Sequence, residues 1–174
     1  SLGARFDDRV TGRLDEFASK AKVIHVDIDP TSIAKLVVPD YPIVGDLKIT
    51  VKAMIEATES SENEFNDYTN WVELLRDYRE KEPLRYIDSN EVIKPQWPIQ
   101  RVGKLLGAKA IISTDVGQHQ MWTAQFYPFS YPRQWITSGG LGTMGFGLPA
   151  AMGVARALKG TDKVSINFTG DGSI

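Results

Sequence analysis

The sequence predicts an α/β fold built on parallel sheets, and three observations predict it. Strand-like runs alternate with helical periodicity at short spacing, which requires neighbouring strands to run parallel. The clearest strand, residues 22–29, carries Val23, Ile24, Val26 and Ile28 in a near-continuous β-branched run, as a strand covered on both faces does. Nine of the fifteen glycines fall between positions 139 and 172. Backbone freedom is therefore concentrated in residues 134–174, which read as strand, glycine turn, helix, strand and second glycine turn.

Composition narrows the function classes. The 174 residues suffice for one domain or two small ones. Net charge is −2 and no basic run occurs, so nucleic acid is not expected as a partner. Cysteine is absent, which excludes disulfides and thiolate metal sites. No apolar run reaches membrane-spanning length, so no membrane partner is expected either.

Residues 1–12 read as the end of a strand, Leu2-Gly3-Ala4, and a loop crowding Arg5, Asp7, Asp8 and Arg9 together. Such a loop either forms solvated ion pairs or meets a ligand at the end of an open sheet. In strand 22–29 the lone His25 reads as a core or edge histidine. Asp27-Ile28-Asp29 closes that strand, and Pro30-Thr31-Ser32 reads as a short helix start. Residues 41–44 form a second strand closed by Gly45-Asp46. Residues 47–58 form a helix with Val51, Met54 and Ile55 on one face. Asp27, Asp29 and Asp46 are suited to helix capping. Residues 59–68 open with six positions lacking any apolar side chain and read as a linker between domains 1–58 and 69–174.

The second domain starts with an amphipathic helix, 69–81, whose stripe of Trp71, Leu74, Leu75 and Tyr78 reads as core packing. Residues 83–98 are irregular. Ile99, Val102 and Leu106 mark a helix ending near Gly107, and strand 109–114 ends at Asp115. The stretch 115–120 then opens a helix, either merely capped or with its N–H groups facing an anion. Gln118 and His119 carry donors that reach a diphosphate there. Met121, Trp122, Phe126, Tyr127, Phe129 and Tyr131 read as core or subunit interface, because no basic groove accompanies them.

After strand Trp135-Ile136-Thr137 comes the glycine turn 138–147. Helix 148–158 is apolar on nearly every side and reads as buried. Strand 163–169 runs into Gly170-Asp171-Gly172-Ser173. Gly140-x-Gly142-x-x-Gly145 fits the dinucleotide fingerprint, but the acid expected about twenty positions on is missing. The next strand-end carboxylate, Asp171, sits between glycines, which suits a hard cation beside a phosphate better than a ribose.

These residues carry a resemblance. Gly170-Asp171-Gly172-Ser173, the run from Gly117 to Trp122, the turn from Gly139 to Pro149 and the loop from Gly3 to Gly12 closely resemble acetohydroxyacid synthase (acetolactate synthase) catalytic subunits. These are thiamine-diphosphate enzymes, and the resemblance spans essentially the whole chain. It implies Rossmann-like, three-layer pieces. Residues 1–58 would end a central FAD-contacting domain. Residues 69–174 would begin a thiamine-diphosphate domain cut at its metal motif, so the chain would be a piece of a longer polypeptide. The resemblance places Gly3, Ala4, Arg5, Phe6, Asp7, Asp27, Ile28, Asp46 and Leu47 at FAD. It places Gln118, His119, Gly142, Thr143, Met144, Asp171, Gly172 and Ser173 at thiamine diphosphate, with Asp171 holding Mg²⁺ on the diphosphate.

The resemblance implies decarboxylation of pyruvate on thiamine diphosphate. The two-carbon unit passes to pyruvate or 2-oxobutyrate, in branched-chain amino acid synthesis. It also implies a homodimer or homotetramer with a small regulatory subunit. The location would be cytoplasmic in bacteria, and plastid or mitochondrial in eukaryotes. The catalytic glutamate of the family lies in an N-terminal domain, so no catalytic residue is expected here and the chain alone is expected to be inactive. The alternatives are another thiamine-dependent carboligase or oxidase, or a non-catalytic flavin- or nucleotide-binding module.

Overall fold

The computed structural model describes residues 1–61 and 66–173. They form two compact units, Ser1–Asp67 and Tyr68–Ile174. Every strand pairing within them is parallel. Of the stretch read as a linker, residues 62–65 lie outside the described residues. No described helix is long and apolar enough to cross a membrane.

In the first unit, β1 (Ile24–Asp27) pairs with β2 (Tyr41–Val44), Ile24 opposite Tyr41 and Asp27 opposite Val44. On the other edge of β1, Leu2 bridges Val26 in parallel. Val26 N–H donates to Ser1 O at 2.9 Å, and Gly3 N–H donates to Val26 O at 2.8 Å. This central place buries His25 and Val26 fully. Coverage is narrower than the β-branched run predicts, because Ile24 and Ile28 stay exposed at 39% and 71%. The charged loop is not irregular throughout. Asp7 accepts from Val10 N–H and caps a single helical turn, α1 (Asp8–Thr11). The helix start expected at Pro30 does not form. Asp29 instead accepts from both the N–H and the hydroxyl of Thr31, and Ala34 takes a φ of +58°, which a right-handed helix excludes. Helix α2 (Leu47–Glu59) does form, capped by Asp46 through Ile49 N–H.

The second unit orders its sheet β4-β3-β5. Strand β3 (Ala110–Thr114) is buried along its whole length between β4 (Trp135–Thr137) and β5 (Val164–Phe168). Helices α4 (Gln96–Leu106) and α5 (Gln118–Phe126) supply the rest of the core. Ile99, Ala110, Ile112 and Tyr127 are its buried centre, with Trp122, Phe126, Phe129 and Trp135 packed around it. Each such side chain contributes about 1.5–3 kcal/mol when fully buried. Most of the aromatic run is therefore core, although Met121 is exposed. The fully buried Gln134 is satisfied. Its amide nitrogen donates to Gly107 O and Ala110 O, and its oxygen accepts from Ser130 N–H.

Two expectations of burial fail. Helix α3 (Thr69–Lys81) has no buried residue, and Trp71, Leu74, Leu75 and Tyr78 are all exposed. Helix α6 (Gly147–Ala157) buries only Gly147, leaving Leu148 and Met152 exposed at 43% and 66%. Periodicity identifies an apolar face; it does not supply the element that covers that face. What α6 does achieve is close approach at its first residue. A Cβ on Gly147 would stand 2.8 Å from Asp115 N and 2.8 Å from Asn167 Oδ1. Gly147→Ala is therefore expected to lower stability by about 1–3 kcal/mol through overpacking. Gly140, which has open space around it, is the control: Gly140→Ala should stay within about 0.5 kcal/mol. Urea midpoints of the two variants check the contrast.

Candidate functional site

The site of the second unit lies at the carboxyl ends of β3 and β5, where open parallel sheets place their ligands. Its organiser is Asp115, directly after β3 and fully buried. His119 Nε2, from the second residue of α5, donates to Asp115 Oδ1 at 2.8 Å. Thr169 Oγ1, after β5, donates to the same oxygen at 3.2 Å. Gly145 N–H, in the glycine turn, donates to Oδ2 at 3.1 Å. Burial pushes the Asp115 carboxyl up, but the Gly145 N–H and the His119 ring outweigh it and hold it below the usual carboxylate range.

His119 is clamped as well as bonded. A Cβ on Gly117 would lie 2.9 Å from His119 Cε1, and one on Gly170 would lie 3.3 Å from Nδ1. Gly117, at φ +154°, also occupies backbone space that side chains avoid. The ionised Asp115 only accepts, so Nε2 carries hydrogen and Nδ1 is the ring atom left for other partners.

Around this clasp opens a cavity of about 620 Å³. Gln118, His119, Met144, Asp171, Gly172 and Ser173 line it, with Trp122 and Asn167. Six of the eight residues named for thiamine diphosphate thus meet at one place. Gly142 and Thr143 do not line it; Thr143 N–H is held by Ser138 Oγ at 2.9 Å. Of the glycine turn 138–147 only Met144 reaches the cavity, which is not how a dinucleotide turn presents its glycines. Asp171 opens a 3₁₀ turn, Asp171–Ser173. It is the only carboxylate among the described lining residues, which include no Lys or Arg. No cluster of three metal-ligating side chains occurs among the described residues.

Two comparisons bear on this geometry. Residues 115–174 match the family described as thiamine pyrophosphate enzyme, C-terminal TPP binding domain, and residues 1–54 match its central domain. Both matched regions are domains of thiamine pyrophosphate enzymes. It is 50% identical to acetolactate synthase 2, chloroplastic, of Brassica napus over 173 residues, 99% of this chain and 27% of the relative. It is 47% identical to the acetolactate synthase isozyme 3 large subunit of Escherichia coli (strain K12) over 176 residues, 100% of this chain and 30% of the relative. The acetolactate synthase large subunit of Buchnera aphidicola matches at 48%, again with 30% of its length covered. The chain therefore spans under a third of these relatives.

The cavity fits the cofactor of this family. Ser173 Oγ is buried and lacks a partner among the described residues, as a hydroxyl waiting on a ligand oxygen would. Among the described lining residues Asp171 is the one carboxylate and there is no Lys or Arg, so the wall offers a diphosphate no permanently charged side chain to pair with.

The first unit gathers its expected flavin residues less completely. The bridge of Leu2 to β1 sets loop 3–7 beside the ends of β1 and β2. A Cβ on Gly3 would touch Leu47 Cδ2 at 3.3 Å. Arg5, Phe6 and Asp7 line a cavity of about 240 Å³ with Asp29, Thr31 and Lys35. Gly3, Ala4, Asp27, Ile28, Asp46 and Leu47 do not line it. Asp27 and Asp46 spend an oxygen each on Asp29 N–H and Ile49 N–H.

Sequence reasoning passes over Asp115 as a site residue, although its i,i+4 spacing to His119 across the strand–helix turn was a usable signal. A carboxylate held below its unfolded value of about 3.9 stabilises the fold fully above that pH, and the stabilisation fades as pH falls through the folded value. Asp115→Asn is expected to cost on the order of 3 kcal/mol at neutral pH. Urea titrations at several pH values should show the gap between wild type and variant constant down to about pH 5 and shrinking below about pH 4.

Proposed function

We propose that the chain supplies the diphosphate-binding half of a thiamine diphosphate site, and a flavin-contacting face, to an acetolactate synthase. The observation that carries this reading is the cavity at the ends of β3 and β5. There Gln118, His119, Asp171, Gly172 and Ser173 converge, with no Lys or Arg among the described lining residues. Asp171 holds Mg²⁺, and the cation neutralises the diphosphate. Gln118, Ser173 and the N–H groups of the 3₁₀ turn bind phosphate oxygens. Met144, half exposed at the mouth, supports the organic part of the cofactor, and Gly142 and Thr143 give its turn room to do so. When bound, thiamine diphosphate supplies the electron sink for 2-oxo acid decarboxylation.

In this reading residues 1–58 belong to the central domain and 69–174 to the thiamine diphosphate domain. Gly3, Ala4, Arg5, Phe6, Asp7, Asp27, Ile28, Asp46 and Leu47 face FAD. The substrates are pyruvate and pyruvate or 2-oxobutyrate, and the assembly is a homodimer or homotetramer with a regulatory subunit. Support comes from relatives that are acetolactate synthases of bacteria and chloroplasts.

Two variants test the assignments. Asp171→Ala is expected to abolish Mg²⁺-dependent thiamine diphosphate binding, read by calorimetry; normal affinity in the variant removes Asp171 as metal ligand. Arg5→Ala is expected to release flavin, read by its absorbance, while thiamine diphosphate binding persists. Loss of both cofactors together would mark a folding defect and remove Arg5 as a specific flavin contact.

A further inference from the structure

Asp115 is not among the described lining residues of the cavity, yet each group that donates to its carboxylate lines the cavity or adjoins a residue that does. His119 and Thr169 are lining residues, and Gly145 follows Met144, which is another. The His119 side chain is 16% exposed while that of Asp115 is fully buried, so a ligand in the cavity meets the ring and not the acid. The three donors differ in what they can change. Gly145 N–H is backbone and only donates. Thr169 can turn its hydroxyl, for which Gly170 O at 3.4 Å is a second acceptor. The imidazole can carry its hydrogen on either nitrogen.

Gly117 and Gly170 fix where the ring lies, but neither fixes which nitrogen carries hydrogen. The Asp115 carboxylate does, because its oxygens only accept and Oδ1 stands 2.8 Å from Nε2. We propose that Asp115 is a positioning residue for ligand binding in this cavity. It acts through His119: it holds the ring as the Nε2–H tautomer, and thiamine diphosphate with its divalent cation binds to that tautomer. This assignment depends on the cavity being the thiamine diphosphate site proposed above. Asp115→Asn separates the tautomer from the position of the ring. One oxygen and one amide nitrogen then replace two acceptors. Gly145 N–H cannot adapt, so the amide oxygen must face it. The amide N–H₂ group then faces His119 and Thr169. Thr169 turns its hydroxyl, and His119 accepts at Nε2 and carries hydrogen on Nδ1.

The chain has two histidines, so ring-nitrogen NMR reads the tautomer directly. His25, buried in the first unit with neither ring nitrogen bonded among the described residues, is the internal reference. Wild-type His119 is expected as Nε2–H, both alone and with thiamine diphosphate and Mg²⁺ added. Asp115→Asn is expected to switch it to Nδ1–H and leave the His25 signals unmoved. Calorimetric titration of thiamine diphosphate with Mg²⁺ is expected to show about tenfold lower affinity in the variant, as for a competent tautomer populated about one time in ten. In a His119→Ala background the same substitution is expected to lower affinity no further, whereas a merely structural role would lower it in both backgrounds. An unswitched tautomer, a switched one with unchanged affinity, or a loss that persists without His119 overturns the proposal and leaves the cavity reading standing. Wild-type protein that binds no thiamine diphosphate overturns both. Should Asp115→Asn fail to fold, the wild-type spectra decide: Nε2–H in the free and the loaded protein supports the proposal, and Nδ1–H in either overturns it.

Discussion

One buried carboxylate holds the second unit's site together. Asp115 receives hydrogen bonds from α5, from the glycine turn and from the chain after β5. These three segments are distant in sequence and would otherwise end separately at the edge of the sheet. Hydrogen bonds to an ionised group are worth about 1.5–3 kcal/mol each, enough to offset the burial of one charge when all three are made. The clasp needs the sheet order β4-β3-β5, because only a central strand delivers its carboxyl end to neighbours on both sides. It also needs Gly147, since α6 must start against Asp115 N.

The cavity draws its character from what surrounds that clasp. Asp115 is consumed internally, so it offers no oxygen to a ligand. Asp171, exposed at the mouth, is the carboxylate left to act outward. The two acids thus differ by burial: Asp115 is spent within the fold and Asp171 lies open to the cavity. The first unit shows no such division, since Asp7 both caps α1 and lines a cavity.

Much of this was legible in the sequence, for identifiable reasons. Strands 41–44 and 135–137 were placed by local β-propensity and by the turn residues that end them. The sheet's parallel sense followed from spacing. The clustering of Gln118, His119 and Asp171 was legible only through the family resemblance; they follow β3 and β5, neighbours in the sheet. What was not legible depended on partners remote in sequence. The stripe Trp71, Leu74, Leu75 and Tyr78 has helical period, but period carries no information about a covering element, and among the described residues it stays exposed. The turn after Pro30 was decided by Asp29 bonding to Thr31 and by the left-handed Ala34, a competition that helix signals do not register. Asp115 looked like an ordinary strand terminator because two of its three donors, Gly145 and Thr169, are supplied by later segments.

The imidazole wedged between Gly117 and Gly170 has a kinetic meaning. Its rotamer is fixed by Asp115 on one side and by two backbones lacking Cβ atoms on the other. A ligand entering the cavity therefore meets a ring whose torsions are already fixed and freezes none of them on arrival. Encounter at that point is limited by access through the mouth and not by rearrangement of the ring.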